Sequence, residues 1–277
     1  MKAKNLENYQ VFELRRVKSK EEGGKGLCGG GLAVGALHDL NPVLVRQGGD
    51  DVECQTIAVR AGQTKIRFVN GYGPQIGDTK DRKEKFWNYL EREVIEAEDE
   101  QVGLVIEIDS NSWAGSKLIP NDPNTRNSNE KLLEMFLKRN KGIHLVNSLP
   151  MCEGLITRKM HTENRHEESA IDIFIVCKRI LPVVTKMHVD EKGEHQLTNL
   201  CGNKRNKKVT ESDHAQIELH LNIQYPQAKI QRTEAFNFKS KECQNFFEDL
   251  TTNTNKFTMC FNNAEIFSQQ IKCGKET

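Results

Sequence analysis

The chain has 277 residues, 36% apolar and 29% charged, with 40 basic and 39 acidic residues and a formal charge of +1. A chain of this length can bury one sizeable core, because single α/β domains often contain about 200 to 250 residues. The balanced charge excludes a global basic field, so any surface that attracts nucleic acid is local. The sequence has no signal-peptide core, no apolar window of about 18 residues and no Cys-x-x-Cys pair. We expect a nuclear or cytoplasmic protein that is neither secreted nor inserted in a membrane.

The first half of the chain predicts strands, one hairpin and one long helix. A glycine cluster at residues 23–31 lacks the Gly-Lys-Ser/Thr ending of a phosphate-binding loop and is typical of a turn before a strand. Apolar alternation across residues 56–69 predicts a hairpin, and the helical spacing of residues 81–96 predicts an amphipathic helix. Residues 102–108 are almost all apolar, which indicates a strand covered on both faces. That strand ends at Asp109.

The second half predicts one more helix among several strands. Residues 129–138 carry one apolar helical stripe, and five further strands are predicted at residues 142–146, 154–159, 171–176, 183–189 and 217–221. Strands that outnumber helices favour two packed mixed sheets flanked by helices over one parallel sheet. The composition changes after residue 223. We therefore expect one domain over residues 1–223 and a connector or tail, partly helical or disordered, over residues 224–277.

Polar residues follow several apolar runs at the places where strands are expected to end. They are Tyr72, Asp109 with Asn111, Asp172, and the pair Asp213–His214. Each motif alone is ordinary, since an Asp-x-Asn is usually a turn or a helix cap and an Asp-His pair is usually surface. Strand ends of a two-sheet scaffold are nevertheless where acids, amides and a histidine can meet a metal and a phosphate. Residues two apart on an extended segment share a face, so we expect Asp109 and Asn111 to reach one pocket.

Taken in order, these motifs resemble the endonuclease/exonuclease/phosphatase superfamily. The closest similarity is to the apurinic-type endonuclease domain of non-long-terminal-repeat retrotransposon polyproteins, and it extends over residues 9–223. It is carried by residues 69–74, 119–123, 147–150 and 212–214 after a glycine-rich beginning. The resemblance implies a DNase I-like, four-layer α/β sandwich that hydrolyses DNA phosphodiesters with Mg²⁺, or with Mn²⁺ in its place.

The resemblance also implies roles for individual residues. Asp109 corresponds to the aspartate that aligns or deprotonates the attacking water, and Asn111 to the amide that binds the scissile phosphate. Asp172 corresponds to the carboxylate that orients the catalytic histidine, His214 to that histidine, and Asp213 to the acid near the metal, which Asp109 also approaches. Hard carboxylate oxygens suit Mg²⁺ better than zinc.

Four further residues have weaker assignments. Tyr72 would donate its phenol to a phosphate oxygen, and the alternative is that its ring only packs. Asn129 corresponds to an asparagine that helps to hold the phosphate, although Glu130 follows it where glycine is usual. By the same resemblance, Thr157 and Arg158 fall in the region that faces the DNA groove in related enzymes. The basic residues 204–208 could hold DNA phosphates, and the alternative is a solvated loop.

Two motifs of the superfamily have no counterpart in this chain. Its members begin with a strand that carries an asparagine, followed by a Glu-Thr segment whose glutamate binds Mg²⁺, and this sequence starts downstream of both. We therefore expect a nuclease fold without its amino-terminal strand, with impaired endonuclease chemistry and a tail that once joined a reverse transcriptase domain. The alternatives are a DNA- or protein-binding module without catalysis and, less favoured, a phosphoinositide-type phosphatase.

Overall fold

A computed structural model describes residues 8–15, 31–49, 51–122, 128–162, 165–193, 198–201, 208–211, 213–223 and 259–260. The glycine cluster at residues 23–30, the basic residues 204–207 and most of the expected tail lie outside the described residues. The helices are α1 Lys80–Asp99, α2 Gly115–Leu118 and α3 Ser128–Arg139, with short 3-10 helices at His38–Leu40, Val146–Ser148 and Leu181–Val183. The strands are β1 Tyr9–Arg15, β2 Gly31–Leu37, β3 Val43–Gln47, β4 Cys54–Ala61, β5 Thr64–Tyr72, β6 Gly103–Asp109, β7 Ile143–Leu145, β8 Cys152–Glu153, β9 Arg158–Thr162, β10 Arg165–Ser169, β11 Asp172–Cys177, β12 Val184–Val189, β13 Thr198–Cys201, β14 Lys208–Glu211, β15 Ile217–Leu221 and β16 Met259–Cys260.

The largest sheet has six strands in the order β3-β4-β5-β6-β11-β7. Strands β5 and β6 are parallel because helix α1 carries the chain back between them, and the other neighbours are antiparallel. The β4–β5 hairpin closes through a two-residue loop in which Gly62 has a φ of 61°, a backbone conformation suited to tight hairpin turns. Strands β6 and β11 are buried along their whole length, as expected for strands covered on both faces.

Helix α1 packs on β5 and β6 through an apolar face and a buried group of charges. The helix begins after Thr79, whose hydroxyl accepts a hydrogen bond from the Arg82 backbone N–H at 3.2 Å. Glu93 is fully buried and accepts hydrogen bonds from the guanidinium groups of Arg46 on β3 and Arg67 on β5. These charges are paired across the helix–sheet interface, which makes their burial tolerable.

Smaller mixed sheets pack against the large one. One has the order β1-β2-β16, and its strand β2 lies against β4 and β5; the other has the order β15-β12-β8. In the second of these sheets, Met187 and Val189 of β12 are buried in the common core, whereas His188 between them is only half-buried. The molecule is therefore an α/β protein of packed mixed sheets with few helices, as the sequence predicts.

Most of the predicted elements are confirmed. The hairpin, both helices and the strands near residues 102–108, 142–146, 171–176, 183–189 and 217–221 are present. The strand predicted at residues 154–159 is wrong in its first half, because Gly154 turns the chain at a φ of 89° and the N–H groups of Leu155 and Ile156 donate to the Glu191 carboxylate instead of to a strand. No helix in the described part of the chain is long and apolar enough to span a membrane. The division into residues 1–223 and 224–277 stays a prediction.

The buried Glu93 provides a test of what joins α1 to the sheet. We expect Glu93→Gln to lower the free energy of unfolding by about 1–3 kcal/mol, because Arg46 and Arg67 lose their fully buried partner and keep only the more exposed carboxylates of Glu96 and Glu100. Urea unfolding measures the change. The matched control is Glu84→Gln on the same helix, which breaks only an exposed pair with Lys80 at 3.4 Å and should cost less than about 0.5 kcal/mol. Equal losses for both variants would contradict this account of the interface.

Candidate active site

Three of the predicted site residues lie in one row across the large sheet. In the parallel pair, Tyr72 at the end of β5 is in register with Asp109 at the end of β6, and Asp109 is in register with Asp172 at the start of β11. Neighbours in register share a face of the sheet. Tyr72, Asp109 and Asp172 therefore lie side by side at one edge, on a face that the buried core shields from most solvent.

His214 reaches this row from the end of another segment. Its backbone forms a bridge with Arg158, and the neighbouring N–H of Ala215 donates to the Thr157 carbonyl at 2.7 Å. The His214 Nδ1 atom lies 2.9 Å and 3.2 Å from the two carboxylate oxygens of Asp172. Asp172 thus fixes the orientation of the imidazole and directs its Nε2 atom away from itself.

Two polar side chains hold the Asp172 backbone in place. The Thr157 hydroxyl oxygen accepts hydrogen bonds from the N–H groups of Ile171 and Asp172 at 3.0 Å and 2.9 Å. The Asn147 amide donates to the Asp172 carbonyl at 3.1 Å and accepts from the Phe174 N–H at 2.9 Å. Asn147 and Thr157 are buried. The sequence resemblance implies this supporting role for neither residue, and it places Thr157 with Arg158 in the region that faces the DNA groove. The signal was present in part, since residues 147–150 form one of the matching motifs.

The carboxylates around the imidazole decide its protonation. Burial lowers the pKa of His214, but the charges of Asp172, Asp109 and Asp213 together raise it by more, so that the pKa moves from 6.5 to about 9. Without a bound cation, His214 is therefore an imidazolium at neutral pH. An imidazolium can donate from Nε2 to an anionic oxygen, whereas it cannot accept a proton.

The same group offers ligands for a metal ion. Ligand atoms of Asp109, Asp172 and His214 all lie within 4.8 Å of one another. Since Asp172 contacts His214 Nδ1, the carboxylates left to face a cation are Asp109, 2% exposed, and Asp213, whose Oδ1 lies 4.0 Å from His214 Nε2. Oxygen ligands of this kind fit Mg²⁺ or Mn²⁺, and Mg²⁺ usually keeps several of its own waters.

Asn111 and Asn129 brace the loops next to Asp109. Strand β6 ends at Asp109, and Asn111 has a φ of 47°, so the expectation that the two share a face of an extended segment is wrong. Instead, the Asn111 N–H donates to the Asp109 carboxylate at 3.0 Å, and its side-chain amide donates to the Gly73 carbonyl at 2.7 Å. The Asn129 amide donates to the carbonyls of Pro74 and Asn111 at 2.8 Å and 3.1 Å.

Gly73 allows these loops to approach closely. A Cβ atom at this position would lie 2.7 Å from the Ser110 carbonyl oxygen and 2.8 Å from that of Asp109. Any side chain would therefore push the Tyr72 loop away from the Asp109 loop. The Tyr72 hydroxyl accepts a hydrogen bond from the Gln75 amide at 3.2 Å. Tyr72 as a whole is buried, with 8% of its surface exposed.

Arg158 links the site to the β9–β10 hairpin. Its Nε atom donates to the Asp213 carboxylate at 3.0 Å, in an ion pair whose members are 23% and 42% exposed. Strand β9 pairs with β10 in antiparallel register, so the hairpin extends directly from the backbone that bridges to His214. Arg158 is thus half-exposed beside the imidazole, and its guanidinium restrains one of the two carboxylates that could face a cation.

Comparison with known proteins gives similarities at the level of structure only. No protein-family model and no curated protein matches the chain. Among solved structures, it is similar to the endonuclease domain of TRAS1, a telomere-specific non-LTR retrotransposon, with 16% identity, a TM-score of 0.47 and coverage of 77% of this chain and 81% of that one. An endonuclease/exonuclease/phosphatase family protein from Bacteroides thetaiotaomicron has 14% identity, a TM-score of 0.45 and coverage of 77% and 75%. TDP2 of D. rerio, complexed with a single-strand DNA product, has 12% identity, a TM-score of 0.42 and coverage of 78% and 77%.

The raised pKa of His214 predicts a pH-dependent contribution to stability in metal-free buffer. Because the folded pKa of about 9 exceeds the unfolded value, the imidazolium stabilises the fold fully below about pH 6.5, and this stabilisation is lost as the pH rises through 9. We expect the loss of unfolding free energy in Asp172→Asn to be about 2–3 kcal/mol smaller at about pH 10 than at about pH 6. Urea unfolding in EDTA measures it.

The control for this titration is Asp99→Asn, which removes an exposed carboxylate at the end of α1. Its effect should be small and the same at both pH values. A loss in Asp172→Asn that does not change between the two pH values would contradict the assignment of the raised pKa to His214.

Proposed function

We propose that the protein is a metal-dependent phosphodiesterase that nicks DNA, with activity reduced by the ion pair between Asp213 and Arg158. The observation that carries this proposal is the convergence of Asp109, Asp172 and His214, which are distant in sequence, within 4.8 Å of one another. Acids and a histidine gathered at strand ends of a mixed-sheet scaffold suit attack by water on an anionic phosphodiester. The motif resemblance to retrotransposon endonuclease domains selects DNA as the substrate.

Each of these residues has a different proposed role, which follows from its surroundings. His214 is a cation at neutral pH in the absence of metal, so its Nε2–H donates to a phosphate oxygen and opposes the charge that develops there. Asp109 accepts the proton of the attacking water as its oxygen bonds to phosphorus and the bond to the leaving oxygen breaks. Asp172 acts through His214 and is a positioning residue. Asn111 and Asn129 hold the backbone against which the phosphate would bind.

Asp109 and Asp213 would hold the cation. When bound, Mg²⁺ supplies positive charge that neutralises the phosphate and stabilises the leaving oxygen. The Arg158 guanidinium competes for Asp213, since it donates to one of its carboxylate oxygens at 3.0 Å. This competition favours weak metal binding and slow catalysis.

The same observation supports a second function, a DNA-binding module without catalysis. Asp172 contacts His214, and Asp213 contacts Arg158. Both carboxylates are therefore already engaged by another side chain, which disfavours metal binding. A site of this kind could hold a phosphate through Arg158 and His214 without cleaving it. Catalysis and binding are separable by experiment.

A plasmid-nicking assay tests the proposal. We expect the full chain to convert supercoiled DNA to the nicked form with Mg²⁺ and not with EDTA, and His214→Ala to slow nicking by about 10²-fold or more. The matched control is His144→Ala, a histidine on β7 that has no assigned role and should leave nicking unchanged. A gel-shift assay runs in parallel. Absence of nicking with retained DNA binding in every variant would replace the enzyme with the binding module.

The variant Tyr72→Phe tests whether the Tyr72 hydroxyl donates to a phosphate oxygen or whether its ring only packs. Loss of a hydrogen bond made in the transition state should lower kcat by about 10-fold to 10²-fold with little change in KM. The phenylalanine keeps the buried ring, so stability should change only by the contacts of the hydroxyl group, which include the hydrogen bond from Gln75. An unchanged kcat would assign Tyr72 to packing alone.

A further inference from the structure

The loop that follows Asp109 carries a tryptophan that lies outside the core. Of the two tryptophans in the chain, Trp87 is 8% exposed and makes ring contacts with Phe86 and Phe136. Trp113 is partly exposed, is not a member of the core and has no ring contact among the described residues. A tryptophan held outside the core at the edge of a site is available to a ligand, because its large apolar face is not used by the fold.

The burial pattern of this loop places Trp113 on the same side as Asn111. Ser110, Ser112 and Ala114 are 1%, 0% and 0% exposed, whereas the two residues between them are partly exposed. Two residues of backbone span at most about 7 Å, so the backbone of Trp113 lies within about 7 Å of that of Asn111. The indole therefore emerges beside the candidate active site.

Hydrogen bonds fix this loop on both sides of the tryptophan. The Ser110 hydroxyl donates to the Ile171 carbonyl at 2.8 Å and accepts from the Ser112 N–H at 3.2 Å. Beyond the tryptophan, the Gly115 N–H donates to the buried carboxylate of Asp122 at 3.0 Å. A loop that is anchored in this way has little conformational entropy left to lose when a ligand binds.

The loop offers an aromatic face and no charge. Residues 110–116 contain no Lys, Arg, Asp or Glu, and the ammonium of Lys117, the next residue, is held by the Glu134 carboxylate. Beside His214, by contrast, Arg158 provides a half-exposed cation. The loop therefore suits the flat face of a ring, whereas Arg158 suits a phosphate.

We propose that Trp113 stacks on an unpaired nucleobase next to the scissile phosphate, so that the substrate is DNA that is single-stranded or locally unpaired at the cleavage site. This inference rests on the proposed function, in which Asp109 and His214 act on a DNA phosphodiester. Every base has a π face on which an aromatic side chain can stack. In an intact duplex the neighbouring base pairs cover both faces, so a base must leave the stack before an indole can contact it.

Tryptophan fluorescence tests the stacking directly. We expect a single-stranded thymidine oligonucleotide with a cleavage-resistant phosphorothioate backbone to quench part of the emission of the full chain in Mg²⁺. An oligonucleotide of the same length with abasic sites keeps the phosphates and should quench much less. The control is Trp113→Phe, in which the remaining Trp87 is buried and its emission should not change. Equal quenching of the wild type by the two oligonucleotides would overturn the proposal.

A gel-shift titration measures how much the ring contributes to binding. Trp113→Ala should weaken binding of the thymidine oligonucleotide by about tenfold to 10²-fold, and Trp113→Phe should weaken it less, because a smaller ring still stacks. Neither variant should alter binding of the abasic oligonucleotide. The matched control Ile95→Ala removes an exposed apolar side chain on α1 and should leave both affinities unchanged. A loss of the same size for both oligonucleotides would contradict stacking on a base.

The outcomes separate this inference from the proposed function. Binding of both oligonucleotides without quenching would overturn the stacking and leave the proposed function in place, whereas absence of binding in Mg²⁺ would overturn both. On cleavable DNA, we expect the wild type to cleave a single strand faster than the corresponding duplex and Trp113→Ala to reduce this ratio. Faster cleavage of the duplex by the wild type would contradict the proposed substrate.

Discussion

The candidate active site depends on the register of three neighbouring strands. The pairing of β5, β6 and β11 places Tyr72, Asp109 and Asp172 in one row, and a slip by one residue would turn each side chain to the opposite face. The core fixes this register, since Ile108 and Ile173 alternate with the acids and are fully buried. The apolar residues thus determine where the carboxylates lie, although none of them contacts a substrate.

The electrostatic state of the site follows from that geometry. Asp109, Asp172 and Asp213 surround one imidazole, and Arg158 adds a second cation beside Asp213. Three carboxylates against two cations leave a net negative charge where an anionic phosphate would have to bind. The proton on His214 is already included in this balance, and a bound divalent cation would reverse the sign of the net charge. The dependence on metal in the proposed function is therefore a requirement for binding the phosphate as well as for cleaving it.

The sequence predicted the scaffold better than the detailed contacts. Residues 81–96 and 102–108 have strong periodicity or continuous apolar character, and both elements are present. The strand prediction for residues 154–157 is wrong because backbone N–H groups of this segment donate to the Glu191 carboxylate. Glu191 is distant along the chain, so local sequence patterns do not indicate this contact. Strand β3 was missed for a similar reason, since its exposed apolar residues have no alternation and its position is set by pairing with β4.

For the site as well, the sequence predicted the main residues better than the contacts that support them. The resemblance identified the acids and the histidine that converge, but the supporting contacts of Thr157 and Asn147 arise from tertiary structure and have no periodic signal. The expectation for Asn111 was wrong in geometry, because the strand ends one residue after Ile108 and the chain then turns through a left-handed conformation. Asparagine tolerates this conformation more readily than most residues. The local turn thus sets the backbone conformation of Asn111, whereas its hydrogen bond to Gly73 depends on the tertiary structure.

Arg158 connects substrate and metal binding within the proposed function. The same guanidinium that restrains Asp213 is half-exposed at the start of the β9–β10 hairpin, where a DNA phosphate could approach it. A phosphate that draws Arg158 away would leave Asp213 available to a cation, and a cation on Asp213 would leave Arg158 available to a phosphate. Such coupling is reciprocal by thermodynamic necessity. An arginine that weakens metal binding in the free protein is therefore compatible with an enzyme that binds its metal together with its substrate.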